Sequence, residues 1–242
     1  MVVGVPHRQG VRPPRPAAAL SGEPRKPAYY PVYLSLAERL VVVKGGGPVA
    51  ERRVAGLQRC GARVRVVAPK LTPELARRAR DGEIEHVARP YRPGDLEGAA
   101  LALAEPGEPA ADASFFAEAE RRGIFANVED DLDHCSFIMP ALVRRGDLVV
   151  AISTSGRAPA LAVRLRERLE RELGPEYAAL LELAGRLRAP LARTVPDFEE
   201  RRRRWYELVD SEVLALFRED RTREARKRAE QIMGVAAEEP GG

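Results

Sequence analysis

At 242 residues the chain is long enough for one large domain or two small ones around a substantial buried core. Charged residues make up 31% and aromatics 5%, and 40 Lys and Arg barely outnumber 36 Asp and Glu. The resulting +4 charge makes no strong case for nucleic acid and suits a small polyanion or a plain solvated surface equally. Two cysteines, Cys60 and Cys135, argue against a disulfide framework and for a reducing cytoplasm. No apolar stretch approaches the ~18 residues of a membrane span.

Residues 1–27 are rich in Pro and Arg and poor in large apolar side chains, so they read as a disordered extension and not as a secretory signal. Order is expected from Tyr29, and residues 28–140 read as one α/β domain. A β-branched run, RLVVV, leads straight into Gly45-Gly46-Gly47 and a helix over 48–60. Read as G-x-G-x-x-A, Gly45 takes the tight turn, Gly47 admits a pyrophosphate, and Ala50 lets the helix lie close to the sheet. The helix N-terminus then aims free N–H groups at the phosphates. A glycine triplet alone is equally a flexible turn.

Within that helix Val49, Val54, Leu57 and Cys60 are expected to face inward, with Gly61 ending it and a second strand at 62–68. The second strand ends Val67-Ala68-Pro69-Lys70, without the acidic residue that often holds a ribose, which leaves NAD and NADP both open. Lys70 and Arg65 read as a ribose-phosphate contact or, more commonly, as a basic strand edge. A helix from the Thr72-Pro73 cap to Arg80 follows, then a strand over 84–88, an apolar strand over 99–104, a helix over 109–121 and a strand over 124–128. This alternation predicts a parallel sheet with helices on both faces, a Rossmann-like domain.

Beyond residue 128 the texture changes. An acidic loop and an apolar stretch precede a strand at 147–152, a Ser/Thr/Gly turn and a long helix. Residues 141–165 are read as a dimerisation segment and 166–242 as a helical C-terminal domain, with breaks near Pro175, Pro190 and Pro196. That helical part looks too poor in apolar residues to stand alone, which favours a dimer. Arg201 to Arg204 beside Trp205 and Tyr206 read as a solvated helix face and not as a nucleic-acid contact.

Three features outside the glycine turn bear on chemistry. In NVEDD, Asn127 ends a strand at the carboxyl edge, where open α/β sheets bind ligands, and Asp130 and Asp131 follow; each reads as a general base or as a turn aspartate. His134 and Cys135 beside Asp133 match no structural zinc spacing, so no metal site is assigned. Ser153-Thr154-Ser155-Gly156 opens a helix, where hydroxyls and amides hold a carboxylate or simply cap.

Taken in order, GGGPVAER, VVAP, NVEDD, CSFIMPALVRRGDLVVAIST and SGRAPALAVRLRERLE resemble the precorrin-2 dehydrogenase family, the module that also forms the amino-terminal part of siroheme synthase. The likeness runs nearly continuously over residues 29–172. It implies NAD-dependent oxidation of precorrin-2 to sirohydrochlorin, insertion of ferrous iron in some members, and a homodimer. By the same resemblance cofactor contacts fall to Gly45, Gly46, Gly47, Pro48, Val49, Ala68, Pro69 and Asn127, and proton handling falls to Asp130. Thr154, Ser155 and Gly156 fall on the substrate turn, with Arg144, Arg145 and Arg157 as weaker partners for a polycarboxylate.

Three departures stand out, one of them Pro48 at the start of the helix, where proline is well tolerated. Where the family commonly reads A-A-T-D-D after the fourth strand, this chain has Glu105-Pro106-Gly107-Glu108, and Lys44 precedes the triplet. A chelatase without dehydrogenase activity, and a non-catalytic NAD- or tetrapyrrole-binding dimer, are therefore weighed alongside. Siroheme synthases carry a methyltransferase domain after this module, and methylation is expected here from a separate protein.

Overall fold

The computed structural model describes residues 29–238, so the extension over 1–27 lies outside the described residues. Strands β1 (Leu40–Lys44), β2 (Arg63–Val67), β3 (Glu85–Val87), β4 (Leu101–Ala104) and β5 (Phe125–Val128) form a parallel sheet in the order β3-β2-β1-β4-β5. Helices α1 (Pro48–Gln58), α2 (Pro73–Arg80) and α3 (Pro109–Arg122) each begin on a proline, whose fixed φ suits the first helical turn.

The valine run of β1 is buried on both sides, as a central parallel strand requires. Val41 and Val43 pack in one core with Ala50, Val54 and Leu57 of α1 and Leu75 of α2. Val42 points the other way, into a core with Phe115 and Ala119 of α3. Because β2 lies on one side of β1 and β4 on the other, the chain reverses direction there, and a crevice opens at the carboxyl ends of β1 and β4.

The inward face of α1 differs from the expected one. Ala50 is buried against the sheet, Val49 is only half-buried, and Cys60 is exposed. The helix stops at Gln58, so Cys60 lies in the turn that follows and no longer shares the helical phase.

After β5 a short 3-10 turn (Leu132–His134) leads to an antiparallel hairpin, β6 (Ala141–Arg145) and β7 (Leu148–Ile152). Gly146, at φ 56°, turns it. The Arg145 guanidinium donates to the carbonyls of Glu170 (2.8 Å) and Leu173 (2.6 Å), fastening the hairpin to the C-terminal end of α4 (Pro159–Glu172).

Helices α5 (Glu176–Thr194), α6 (Phe198–Asp210), α7 (Val213–Arg218) and α8 (Thr222–Met233) enclose a core of their own. Leu183, Leu187 and Leu191 of α5 meet Leu208, Val213, Ala229 and Met233, so the region is richer in buried apolar contact than its sequence suggests. Pro175 and Pro196 flank α5, but Pro190 lies inside it, against the expected break. A proline at 190 leaves the Arg186 carbonyl without its helical donor. The backbone N–H of Glu238 takes that place at 3.2 Å, and the buried proline ring packs in the helix interior. Among the described residues no helix is long and apolar enough to cross a membrane.

Candidate active site

The glycine turn is built by backbone constraints. Gly45 adopts φ +119°, a conformation closed to most side chains, and its N–H donates to Val67 O at 3.1 Å. A Cβ on Gly46 would lie 2.0 Å from the Lys70 carbonyl, so the β1–α1 and β2–α2 loops touch through bare backbone. Thr72 N–H donates to Gly46 O (2.9 Å), and the Thr72 hydroxyl donates to Glu51 of α1 (2.5 Å) while accepting from Leu75 N–H (3.2 Å). These bonds fix the entry of α1 relative to β2.

Over this turn lies a cleft of about 630 Å3, within the usual range for small-molecule sites. Gly45, Gly46, Gly47, Ala68 and Pro69 line it, joined by Lys44, Lys70, Thr72, Tyr91 and the loop 105–108. Pro48 and Val49 sit behind it as the first residues of α1. Arg65 is turned to Glu85 on β3, 2.8 Å away, which leaves Lys44 and Lys70 as the cations of the cleft.

The loop 105–108 is ordered by interactions that sequence reasoning missed. Lys44, buried at the end of β1, pairs with Asp112 in the first turn of α3 and donates to Glu105 O (3.3 Å). Asp112 also accepts from Gly107 N–H (2.9 Å). A lysine at the end of a central strand signals a buried counter-ion; only the α3 placement reveals which one. Glu105 N–H donates to Lys44 O (2.8 Å), and the Glu105 carboxylate accepts from Gly47 N–H at 2.9 Å.

A second cluster lies along the same sheet edge at the end of β5. Glu129 N–H donates to Ala104 O (3.0 Å), so the ends of β4 and β5 are tied together. Asp130 follows at φ 63°, a left-handed conformation that aspartate tolerates in turns. Its side chain is exposed and, among the described residues, makes no hydrogen bond or ion pair.

Asn127 does not reach the cleft. Its amide donates to Cys135 Sγ (3.2 Å) and Phe137 O (3.0 Å), binding the following loop to β5. Burial pushes the Cys135 thiol up, so it stays protonated and donates toward Val128 O and Asp131 O. A hydrogen bond from His134 at 2.6 Å holds the Asp131 carboxyl below its ordinary value. Among the described residues no group of three His, Cys, Asp or Glu is placed to hold a metal.

The turn 153–156 reaches this cluster and not the cleft. Ser155 and Gly156 both have positive φ (53° and 73°), and a Cβ on Gly156 would lie 3.2 Å from Leu132. The Thr154 hydroxyl accepts from Ala158 N–H (3.3 Å) and Ser153 Oγ accepts from Ser155 N–H (3.0 Å), so both brace the entry to α4. Arg157 is exposed at this turn, whereas Arg144, also exposed, pairs in register with Val149 toward the far end of the hairpin, and Arg145 is committed to the C-terminal end of α4.

Three family models match successive parts of the chain: NAD(P)-binding over residues 32–141, sirohaem biosynthesis protein central over 145–172, and sirohaem synthase dimerisation region over 176–233. Siroheme synthase 1 of Serratia proteamaculans is 38% identical over 203 residues, covering 84% of this chain and 43% of that protein. Siroheme synthase 1 of Yersinia enterocolitica is 43% identical over 177 residues, covering 73% and 38%. The solved structure titled SirC, precorrin-2 dehydrogenase, superposes with a TM-score of 0.71 at 25% identity, over 84% of this chain and all of that one. The chain belongs to the precorrin-2 dehydrogenase and siroheme synthase amino-terminal module family.

The chain spans less than half the length of the siroheme synthases it matches. The chain divides as its matched models do: the parallel sheet carries the glycine cleft, and the segment from the hairpin into α4 carries the turn that meets the loop after Asp130. The dimerisation region coincides with the separate helical core of α5 to α8.

Proposed function

We propose that the protein oxidises precorrin-2 to sirohydrochlorin with NAD as a cytoplasmic homodimer. The observation that carries this reading is the placement of two sites on one sheet edge. A glycine-lined cleft lies at the ends of β1, β2 and β4, and a free carboxylate, Asp130, lies at the end of β5. The family and the SirC likeness supply the substrate class.

The glycine cradle suits a dinucleotide: with no Cβ at Gly45 or Gly47, only the flexible Glu105 side chain lies over the α1 N-terminus, and bare backbone at Gly46 lets the β2–α2 loop close against the turn. Bound there, the nicotinamide supplies the acceptor for the hydride that leaves the macrocycle. Asp130 takes the accompanying proton, since its exposed carboxylate has no competing partner. Gly156 and Arg157, on the turn that meets the loop after Asp130, take the polycarboxylate rim, and Asn127 positions the loop that carries Asp130. The missing acid at the end of β2 leaves the preference for NAD to be measured. The decisive experiment mixes the protein with precorrin-2 and NAD without metal and follows the tetrapyrrole spectrum together with NADH; absence of both products overturns the reading.

One observation favours a second reading, insertion of ferrous iron into sirohydrochlorin without oxidation. The Gly47 N–H expected to meet a phosphate is already held by Glu105. On that reading Asp130 accepts a pyrrole proton as the metal enters, and iron insertion proceeds while precorrin-2 is left unchanged.

A further inference from the structure

We propose that Glu105 competes with the cofactor. Its carboxylate holds the Gly47 N–H that a dinucleotide phosphate needs, so binding proceeds by exchange of one anion for the other. This rests on the dinucleotide reading of the cleft. Glu105 lies across both outer glycines of the turn: Oε2 is 2.9 Å from Gly47 N, and a Cβ on Gly45 would lie 2.5 Å from Glu105 Cβ. The space that the glycines vacate over α1 is thus filled by this side chain.

Strand register puts it there. β4 pairs with β1 so that Ala104 lies opposite Lys44, and Glu105 N–H donates to Lys44 O, which sets the Glu105 backbone beside Gly45. The positive end of α1 attracts a carboxylate for the reason it attracts a phosphate. Pro48 has no N–H, which makes the Gly47 donor count for more in the first turn. Two anions cannot share that donor in a partly buried cleft.

The exchange needs little motion. Asp112 and Lys44 grip Gly107 and the Glu105 carbonyl, so the backbone stays while the half-buried Glu105 side chain swings off Gly47 toward solvent. This makes Glu105 a determinant of cofactor affinity particular to the Glu-Pro-Gly-Glu loop.

The test measures dissociation constants of NADH, by fluorescence, and of inorganic pyrophosphate, by calorimetry, for the full-length wild type, Glu105→Gln and Glu105→Ala. Melting temperature and oligomeric state are recorded for each. Removing a charged acceptor from one donor predicts that Glu105→Ala binds both probes at least about tenfold more tightly, with Glu105→Gln, which keeps the shape and loses the charge, also tighter than wild type. Binding by Glu105→Ala within about twofold of a wild type that does bind, or weaker, overturns the proposal and leaves the dinucleotide reading standing, with Glu105 a structural brace. Failure of all three folded proteins to bind either probe overturns both.

Discussion

Lys44, the last residue of β1, and Asp112, in the first turn of α3, form an ion pair buried beneath the loop that follows β4. The pair does two jobs at once, since Asp112 also accepts from Gly107 N–H and Lys44 also donates to the Glu105 carbonyl. It therefore ties the central strand, the cleft loop and α3 into one unit.

Breaking the pair from one side strands a buried charge. Lys44→Met or Asp112→Leu alone is expected to destabilise the fold by about 3–5 kcal/mol in denaturant titrations. The double variant is expected to recover most of that loss, falling short by about 1 kcal/mol for the orphaned Gly107 N–H. Equal losses that simply add in the double variant contradict the pairing.

Asp130 combines an exposed side chain with a left-handed backbone, which separates its chemistry from its conformation. Asn accepts positive φ as Asp does, so Asp130→Asn is expected to keep stability within about 0.5 kcal/mol. Precorrin-2 oxidation is expected to fall about 10²–10⁴-fold, the usual worth of a positioned base. Asp130→Ala carries an added conformational cost of about 1 kcal/mol at that φ. Full activity in the Asn variant contradicts proton transfer by this residue.

Stability in acid follows from Glu176, buried at the start of α5. Burial opposes its ionisation, but the Arg218 guanidinium of α7, with bonds of 2.7 and 3.0 Å, and local backbone N–H groups outweigh it and hold the carboxyl below its usual 4.5. A carboxylate lowered in the folded state contributes stability that is complete above its unfolded value. That stability is lost as pH falls through the lower folded one. The melting temperature of wild type minus that of Glu176→Gln is therefore expected to be positive near neutrality and to shrink as pH falls below about 4.5. A difference that stays constant through that range contradicts the linkage.

The sheet was legible because its signals are local. The valine run of β1 and the Thr72-Pro73 cap each announce their element within a few residues. β6 escaped because Ala141–Arg145 shows its strand character only when paired with β7 through the Gly146-Asp147 turn. Pro190 misled because its rule concerns the lost donor, and the replacement comes from Glu238, far along the chain. The loop 105–108 could be flagged as unusual, yet the seating of its carboxylate on Gly47 depends on the register of β1 against β4, which no local pattern encodes.

The same seating gives neighbouring glycines different tolerances. A methyl at Gly46 meets the Lys70 carbonyl at 2.0 Å, and backbone cannot give way cheaply, so Gly46→Ala is expected to destabilise by about 1–3 kcal/mol or more and to distort the cleft. A methyl at Gly47, where φ is −87°, meets only the Glu105 carboxylate at 2.4 Å, the far end of a flexible side chain. Gly47→Ala is thus expected to cost less than about 1 kcal/mol beyond the lost Glu105 hydrogen bond. In a Glu105→Ala background the remaining cost of Gly47→Ala is expected to fall further, while that of Gly46→Ala stays unchanged, because only the first depends on Glu105. Denaturant titration of the two double variants against their single parents measures both couplings, and a Gly47 cost that ignores Glu105 contradicts the contact.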